Sequence, residues 1–489
     1  MIRDPLPSIG IGLSLLAALL VASWLFVAIH HVDDRFNVGW VEGTRIALVW
    51  EADAGHFYPP LYDGESFGGT RFMPIPILLH QGLAQLTGEY LASGKLLAYL
   101  TTLVLLTLTY RVMRRLRCPR PASFAITAGV LVTAPGLLAA TTAQGDALAV
   151  AMQLGAVAIV APRPRDPAAT IAAGALCSFA VLSKVSAIWA PVALGAWLLA
   201  ERRRLTLLLF VVSFVLLLSA QVLILQTLTE GRMLENLRTT LLAGVTGPAG
   251  ILGSPLRLVN LLGGIPLLWA VLPVAVIGGA IWGSEDSRPF YLSLLTAFLV
   301  VLVVLADEGT VHNHLLDVTV LSLLFIGILF GRTTEVSPAV ALVLGSLLLW
   351  SIGTSYLLEL WPATREAGIE VVRGIRSSRY DPRPLGRVIR PGESLLSEDP
   401  YVAVALDRPP VVLDAWTLLR LGRASSVPAD SLARRIEARE FDWIVLVRPI
   451  EDEEWYSDVH FGTIVADAIS GSYRIQRQAS GYHVYVPRR

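Results

Sequence analysis

Apolar residues along this 489-residue chain fall into long runs broken by short polar intervals. A membrane-spanning helix needs about 20 mainly apolar residues. Residues 9–29 meet that requirement, followed by runs at 93–112, 122–141, 147–161, 168–183, 186–200, 205–226, 260–282, 289–306, 315–331 and 337–357. The pattern predicts about 11 transmembrane helices, give or take one or two where short runs abut. From Trp361 onward the pattern changes. Strand-like runs (SLLS, PVVLDA, DWIVLV, YRIQRQ, YHVYVP) accompany a polar helix, SLARRIEAREF, and together predict a water-facing α/β domain of roughly 125 residues. The expected fold is an all-α polytopic membrane domain over residues 1–360, with a large first outer loop at 30–92, followed by an extracytoplasmic α/β domain at 361–489.

Composition agrees: 54% of residues are hydrophobic and 16% charged, well below the charged share of soluble domains. Formal net charge is zero and no basic tail exists, which excludes nucleic acid as a partner. Cys118 and Cys177 have neither disulfide-framework nor zinc spacing. The first apolar run lacks a small-residue cleavage site and is expected to be a retained helix. Basic residues gather in alternate loops, at Arg111 to Arg120, at Arg163 and Arg165, and at Arg202 to Arg204. The positive-inside rule makes those loops cytoplasmic, placing the loop after Asn37 outside and, with an odd number of spans, the C-terminus outside too. Residues 227–260, too polar to span and too long for a turn, are expected along the outer surface.

The first outer loop holds the densest chemistry. In NVGWVEGTRIALVWEADAGHFYPP, Ile46, Val49, Trp50 and Asp53 recur at helical spacing, Gly55 suits a stop, and Tyr58-Pro59-Pro60 cannot continue the helix. Glu42 would start that helix, where the macrodipole favours an anion, with Arg45 one turn on. Such a carboxylate either caps the helix or deprotonates a hydroxyl. Asp33 and Asp34, beside His30 and His31, are further acidic candidates. Lys184 sits between two apolar runs, where a charge is costly without a partner or a function; the alternative is a lysine snorkelling at a helix end. Asp146 follows Gln144-Gly145 at a span end and is either a site residue or an N-cap. His312, Asn313, His314 and Asp317 carry spacing compatible with a metal, although a pair of histidine side chains is not preformed in such a loop.

The layout of one helix, a long outer loop with an acidic residue before an amphipathic helix, and a Tyr-Pro-Pro element resembles the polyprenyl-phosphate-sugar-dependent glycosyltransferases of the GT-C superfamily, including bacterial mannosyltransferase-like and arabinosyltransferase-like members. FMPIPILLHQGLAQLTGEYLASGKLLAYL resembles their re-entrant helix and second span, TAQGDALAVAMQLGA the Asp-bearing end of a later span, and LSKVSAIWAPVALGAWLL a Lys-bearing turn. GTVHNHLLDVTVLSLL resembles the late outer loop, and SEDPYVAVALDRPPVVLDAW with FDWIVLV the C-terminal extracytoplasmic portion. Many relatives carry an Asp-Glu or Asp-Asp pair in the first loop, whereas here Asp33-Asp34 and Glu42 stand apart.

The resemblance implies a GT-C enzyme of the bacterial cytoplasmic membrane whose active site faces outward. It would move a sugar from a polyprenyl-phosphate donor to an envelope glycan, lipid or protein acceptor by a single inverting displacement. One base suffices for that reaction, and the resemblance implies Glu42, with Asp34 second. Donor phosphate and sugar would meet Arg45, Tyr58, Arg71, Asp146, Lys184, His312, Asn313 and His314. No cofactor or metal is required; the partners are the lipid-linked donor, the acceptor and the bilayer. Two other classes fit the same scaffold: a transporter or flippase for lipid-linked sugars, and a non-catalytic envelope-assembly subunit.

Overall fold

The computed structural model describes residues 6–35, 40–244, 248–307, 309–374 and 380–489. The chain divides into two units, one formed by residues 1–32, 95–221 and 246–376, the other by 33–94, 222–245 and 377–489.

The first unit is helical. Each of the 11 apolar runs contains helix, but among the described residues six helices are long and apolar enough to cross a membrane: Ser8–His30, Tyr90–Arg115, Arg204–Leu228, Glu285–Val304, His312–Thr334 and Pro338–Arg373. The run at 122–141 is a bent pair, Arg120–Val132 and Ala134–Thr141, meeting at 78°, and brings the number to seven if it counts as one span. Four other runs are shorter helices, Asp146–Val160, Pro167–Val181, Trp189–Ala200 and Pro266–Trp282. The expectation of about 11 spans is therefore met for six or seven. Hydropathy counts apolar residues and is blind to where the helix stops. The chain is a multi-pass membrane protein.

The first helix shows how a span is divided between neighbours. Leu13, Ala17, Leu20, Trp24 and Val27 are buried at helical spacing, while Ile11, Leu15 and Ile29 are exposed yet equally apolar. One face packs on protein and the other suits lipid. Residues His312–Thr334 are almost wholly buried, whereas Arg204–Leu228 has almost no fully buried residue.

The second unit is mixed. It contains the helices Trp40–Asp53, Pro74–Thr87 and Arg232–Gly244 and a four-stranded sheet: β1 (Leu395–Ser397), β2 (Trp443–Leu446), β3 (Tyr473–Ala479) and β4 (Tyr482–Pro487), in the order β1-β2-β4-β3. β1 and β2 run parallel, and the remaining pairs are antiparallel. Four of the five strand-like runs are strands. PVVLDA is not: Val412 makes one parallel bridge with Phe67, and Asp414 then caps the helix Ala415–Arg423, leaving no length for a ladder. Leu396, Ile444, Val445, Leu446, Tyr482 and Val484 form the core with Phe67. The outer strand β3 turns Arg474, Gln476, Arg477 and Gln478 to water, which blunts an exposed edge.

Candidate functional site

The predicted outer helix forms at Trp40–Asp53, with Glu42 in its first turn. Ile46 and Val49 are fully buried, Asp53 accepts hydrogen bonds from Gln85 (2.8 Å) and the Tyr90 hydroxyl (3.0 Å), and Gly55 ends the helix at φ +89°. Those donors hold the Asp53 carboxyl below its ordinary range, the Gln85 bond contributing most.

Glu42 is fully buried. Arg35 Nε lies 3.3 Å from its Oε2, and the same guanidinium donates through Nη1 to Asp399 Oδ2. Tyr482 donates its hydroxyl to that Asp399 oxygen at 2.9 Å, and Arg35 lies over the Tyr401 ring at 5.4 Å. Burial works to lower the Arg35 pKa, yet Asp399, Tyr482 and Glu42 together raise it above the ordinary value, so the guanidinium stays charged.

Asp399 owes its position to its neighbour. Glu398, directly after β1, is buried and accepts from Val447 N (2.8 Å), Trp455 Nε1 (2.7 Å), Tyr456 Oη (3.0 Å) and His460 Nδ1 (2.6 Å). With its oxygens so engaged it fixes the strand end, and Asp399 caps the helix Pro400–Ala405 through Tyr401 N at 3.2 Å. Asp399 also lies against Gly43, where an added Cβ would stand 2.1 Å from Oδ1. Only glycine lets the two segments approach so closely.

Three other expected site residues lie on the helix Trp40–Asp53 and on the loop that follows it. The buried Tyr58, at φ +57°, donates its hydroxyl to the Phe72 carbonyl at 2.6 Å, and burial raises its pKa. Arg45 lies over the Phe72 ring at 4.8 Å, and Arg71 over the Trp416 ring at 4.0 Å. Asn236 clamps the loop by accepting from Thr70 N (2.9 Å) and donating to the Pro59 carbonyl (3.2 Å). Tyr58 is thus a pin that shapes the loop. Asp34, the second candidate base, is buried next to Arg35 in the chain.

The remaining candidates belong to the membrane-helix unit. Asp146 opens the helix Asp146–Val160, buried, with Lys184 Nζ 2.6 Å from Oδ1 and Asn313 Nδ2 3.5 Å from Oδ2. The ammonium meets a carboxylate, which is how a charge persists between apolar helices. One turn of chain further, Asp317 accepts from Trp189 Nε1 (2.6 Å) and Gln153 Nε2 (3.4 Å), and Gln153 Oε1 accepts from Ala190 N (3.0 Å). Two short helices, Asp146–Val160 and Trp189–Ala200, are tied there to the long helix Leu316–Val336. His312 and His314 lie in the 3₁₀ turn His312–Leu315 with Asn313.

Among the described residues His312, His314 and Asp317 do not form a three-ligand group. Such a group does exist at His30, His31 and Glu370, where His30 Nε2 and Glu370 Oε2 form an ion pair or hydrogen bond of 2.8 Å. Arg35, Asp399, Asn236 and Trp416 were not singled out from the sequence; Asp399 and Trp416 both lay in the quoted segment SEDPYVAVALDRPPVVLDAW.

No family model and no curated protein matches the sequence. Solved structures do. ArnT from Cupriavidus metallidurans, crystallised with undecaprenyl phosphate, is 15% identical, with a TM-score of 0.63 over 96% of this chain and 97% of that one. The Archaeoglobus fulgidus oligosaccharyltransferase in its apo form is 12% identical, with a TM-score of 0.55 over 97% of this chain and 74% of that one. The same archaeal enzyme in complex with an inhibitory peptide and a dolichol-phosphate also gives 0.55, at 12% identity over the same shares of the two chains. At these identities the likeness is one of architecture: this chain has the GT-C fold.

Proposed function

We propose that this chain is a membrane glycosyltransferase that moves a sugar from a polyprenyl-phosphate carrier to an envelope acceptor by a single inverting displacement. The observation that carries the reading is the fold shared along nearly the whole length with a protein crystallised on undecaprenyl phosphate. The buried carboxylate at the first turn of the outer helix supports it further. Glu42 is the proposed base: it stands at the helix N-terminus beside Arg35, and a carboxylate there can take the proton of an acceptor hydroxyl. Arg45 and Arg71 are proposed to meet the departing phosphate, their planes already held on Phe72 and Trp416. In the membrane-helix unit the proposed phosphate contact is Lys184, with Asn313, His312 and His314 as hydrogen-bonding groups. Bacterial inner membrane and an outward-facing site are part of the same proposal.

Purified protein in nanodiscs, given a panel of polyprenyl-phosphate sugars and envelope acceptors, should release polyprenyl phosphate and form a glycosylated product of inverted configuration. Absence of turnover with every donor would remove the reading. The buried Asp146 and Asp317 with the partly buried Lys184 are the observation that favours a flippase, since transporters keep ionisable groups among their helices. Movement of an intact carrier across vesicles without bond cleavage would select that class.

A further inference from the structure

The end of the membrane helices where basic residues gather carries two joined clefts outside the site described above. One, of about 290 Å³, is lined by the helices Tyr90–Arg115 and Asp146–Val160 and by Phe290. Its wall is apolar at Leu108, about one turn before Arg111 in the span Tyr90–Arg115, and at Ile159, near the end of Asp146–Val160, and cationic at Arg111 and Arg115. The second, of about 440 Å³, shares Arg115, Leu116 and Asp286 with the first and adds Arg117, Arg332 and Trp282.

Four guanidiniums therefore surround one carboxylate, and among the described residues none of Arg111, Arg115, Arg117 and Arg332 is in an ion pair. Arg111 and Arg115 are four residues apart, so their like charges lie on one helix face and repel. Arg332 donates to the Trp282 carbonyl at the rim of the second cleft; outside the clefts, Arg288 pairs with Glu201 at 3.1 Å and Arg114 donates to the Cys118 carbonyl. The positive-inside rule asks only that basic residues at helix ends and in loops reach water; it does not ask them to line a cleft together with leucine and isoleucine.

We propose that these clefts bind the head group of an anionic phospholipid, its phosphate held by Arg111 and Arg115 and the start of its acyl chains by Leu108 and Ile159. Guanidinium forks match phosphate oxygens, and basic pockets between membrane helices suit such head groups. The graded wall selects an amphiphile. A free anion gains nothing from Leu108, and a soluble partner does not reach into the span. The inference is independent of the glycosyl-transfer reading.

The test is a titration of the full-length protein in neutral detergent with dioleoylphosphatidylglycerol, dioleoylphosphatidylcholine or inorganic phosphate, following Tm. A saturable rise is expected with the first lipid alone. At about fivefold per charge, R111Q/R115Q should weaken apparent affinity about thirtyfold, whereas R202Q/R204Q, which removes two charges from a basic loop that lines neither cleft, should change it by less than about twofold. No rise, equal weakening by both pairs, or an equal rise with phosphate would overturn the assignment. Should R111Q/R115Q fail to fold, R111K/R115K is expected to retain binding and Leu108→Trp to abolish it; binding untouched by Leu108→Trp would overturn the assignment as well.

Discussion

Arg35 holds two carboxylates, Glu42 and Asp399, in a space closed to water. Removing one partner of a buried pair leaves an uncompensated charge, at a cost of about 3–5 kcal/mol. Asp399→Ala should approach that figure, because it also strips the cap from Pro400–Ala405. Glu42→Gln should cost far less, since Arg35 keeps Asp399. Thermal unfolding of the two variants side by side checks the ordering; equal losses would mean that Glu42 and Asp399 neutralise the guanidinium alike.

His80 gives a pH signature at the same scale. It is buried in the helix Pro74–Thr87, its Nε2 donating to the Tyr90 carbonyl at 2.6 Å, and burial lowers its pKa from 6.5 to about 4. A depressed folded-state value means that the unfolded chain takes up the proton first. The stabilisation is therefore complete above pH 6.5 and is lost as pH falls toward 4. By pH 5 the loss should reach about 2 kcal/mol. His80→Gln should flatten that part of the stability profile by the same amount, and an unchanged slope would mean that another group is responsible.

At the scale of elements, the bent pair Arg120–Val132 and Ala134–Thr141 depends on one residue. Thr133 is extended (φ −107°, ψ 144°) and caps the second helix through Gly136 N. A Cβ on Gly136 would lie 1.8 Å from the Val130 carbonyl oxygen, which is backbone and cannot swing away. Gly136→Ala should cost at least about 1–3 kcal/mol by overpacking, measured as a fall in Tm; a neutral substitution would show that the bend relaxes freely. The outer helix, by contrast, was readable from spacing alone. Ile46 and Val49 at three-residue separation, Gly55 and the Tyr-Pro-Pro stop are local signals, and the helix lies where they predict it.

At the scale of the whole molecule, legibility follows the range of the interaction. Apolar runs are local, so every run could be found; their true helix lengths depend on breaks such as the turn at Ser183-Lys184, which composition does not reveal. Glu42 could be named from its own surroundings. Arg35 and Asp399 could not be paired, because 364 positions separate them and the guanidinium shows no periodicity with its partner. Likewise Lys184 was suspected for its charge in an apolar setting, yet its partner Asp146 lies on a different helix.

The central claim is that Glu42 accepts a proton while a polyprenyl-phosphate sugar is cleaved, and single-turnover transfer with Glu42→Gln tests it most directly. With a general base contributing about 10²–10⁴-fold, the variant should bind the donor as tightly as the parent protein, remain folded, and transfer sugar more slowly by that factor, while Asp34→Asn transfers faster than Glu42→Gln. Transfer at the parental rate by a folded Glu42→Gln protein would contradict the account.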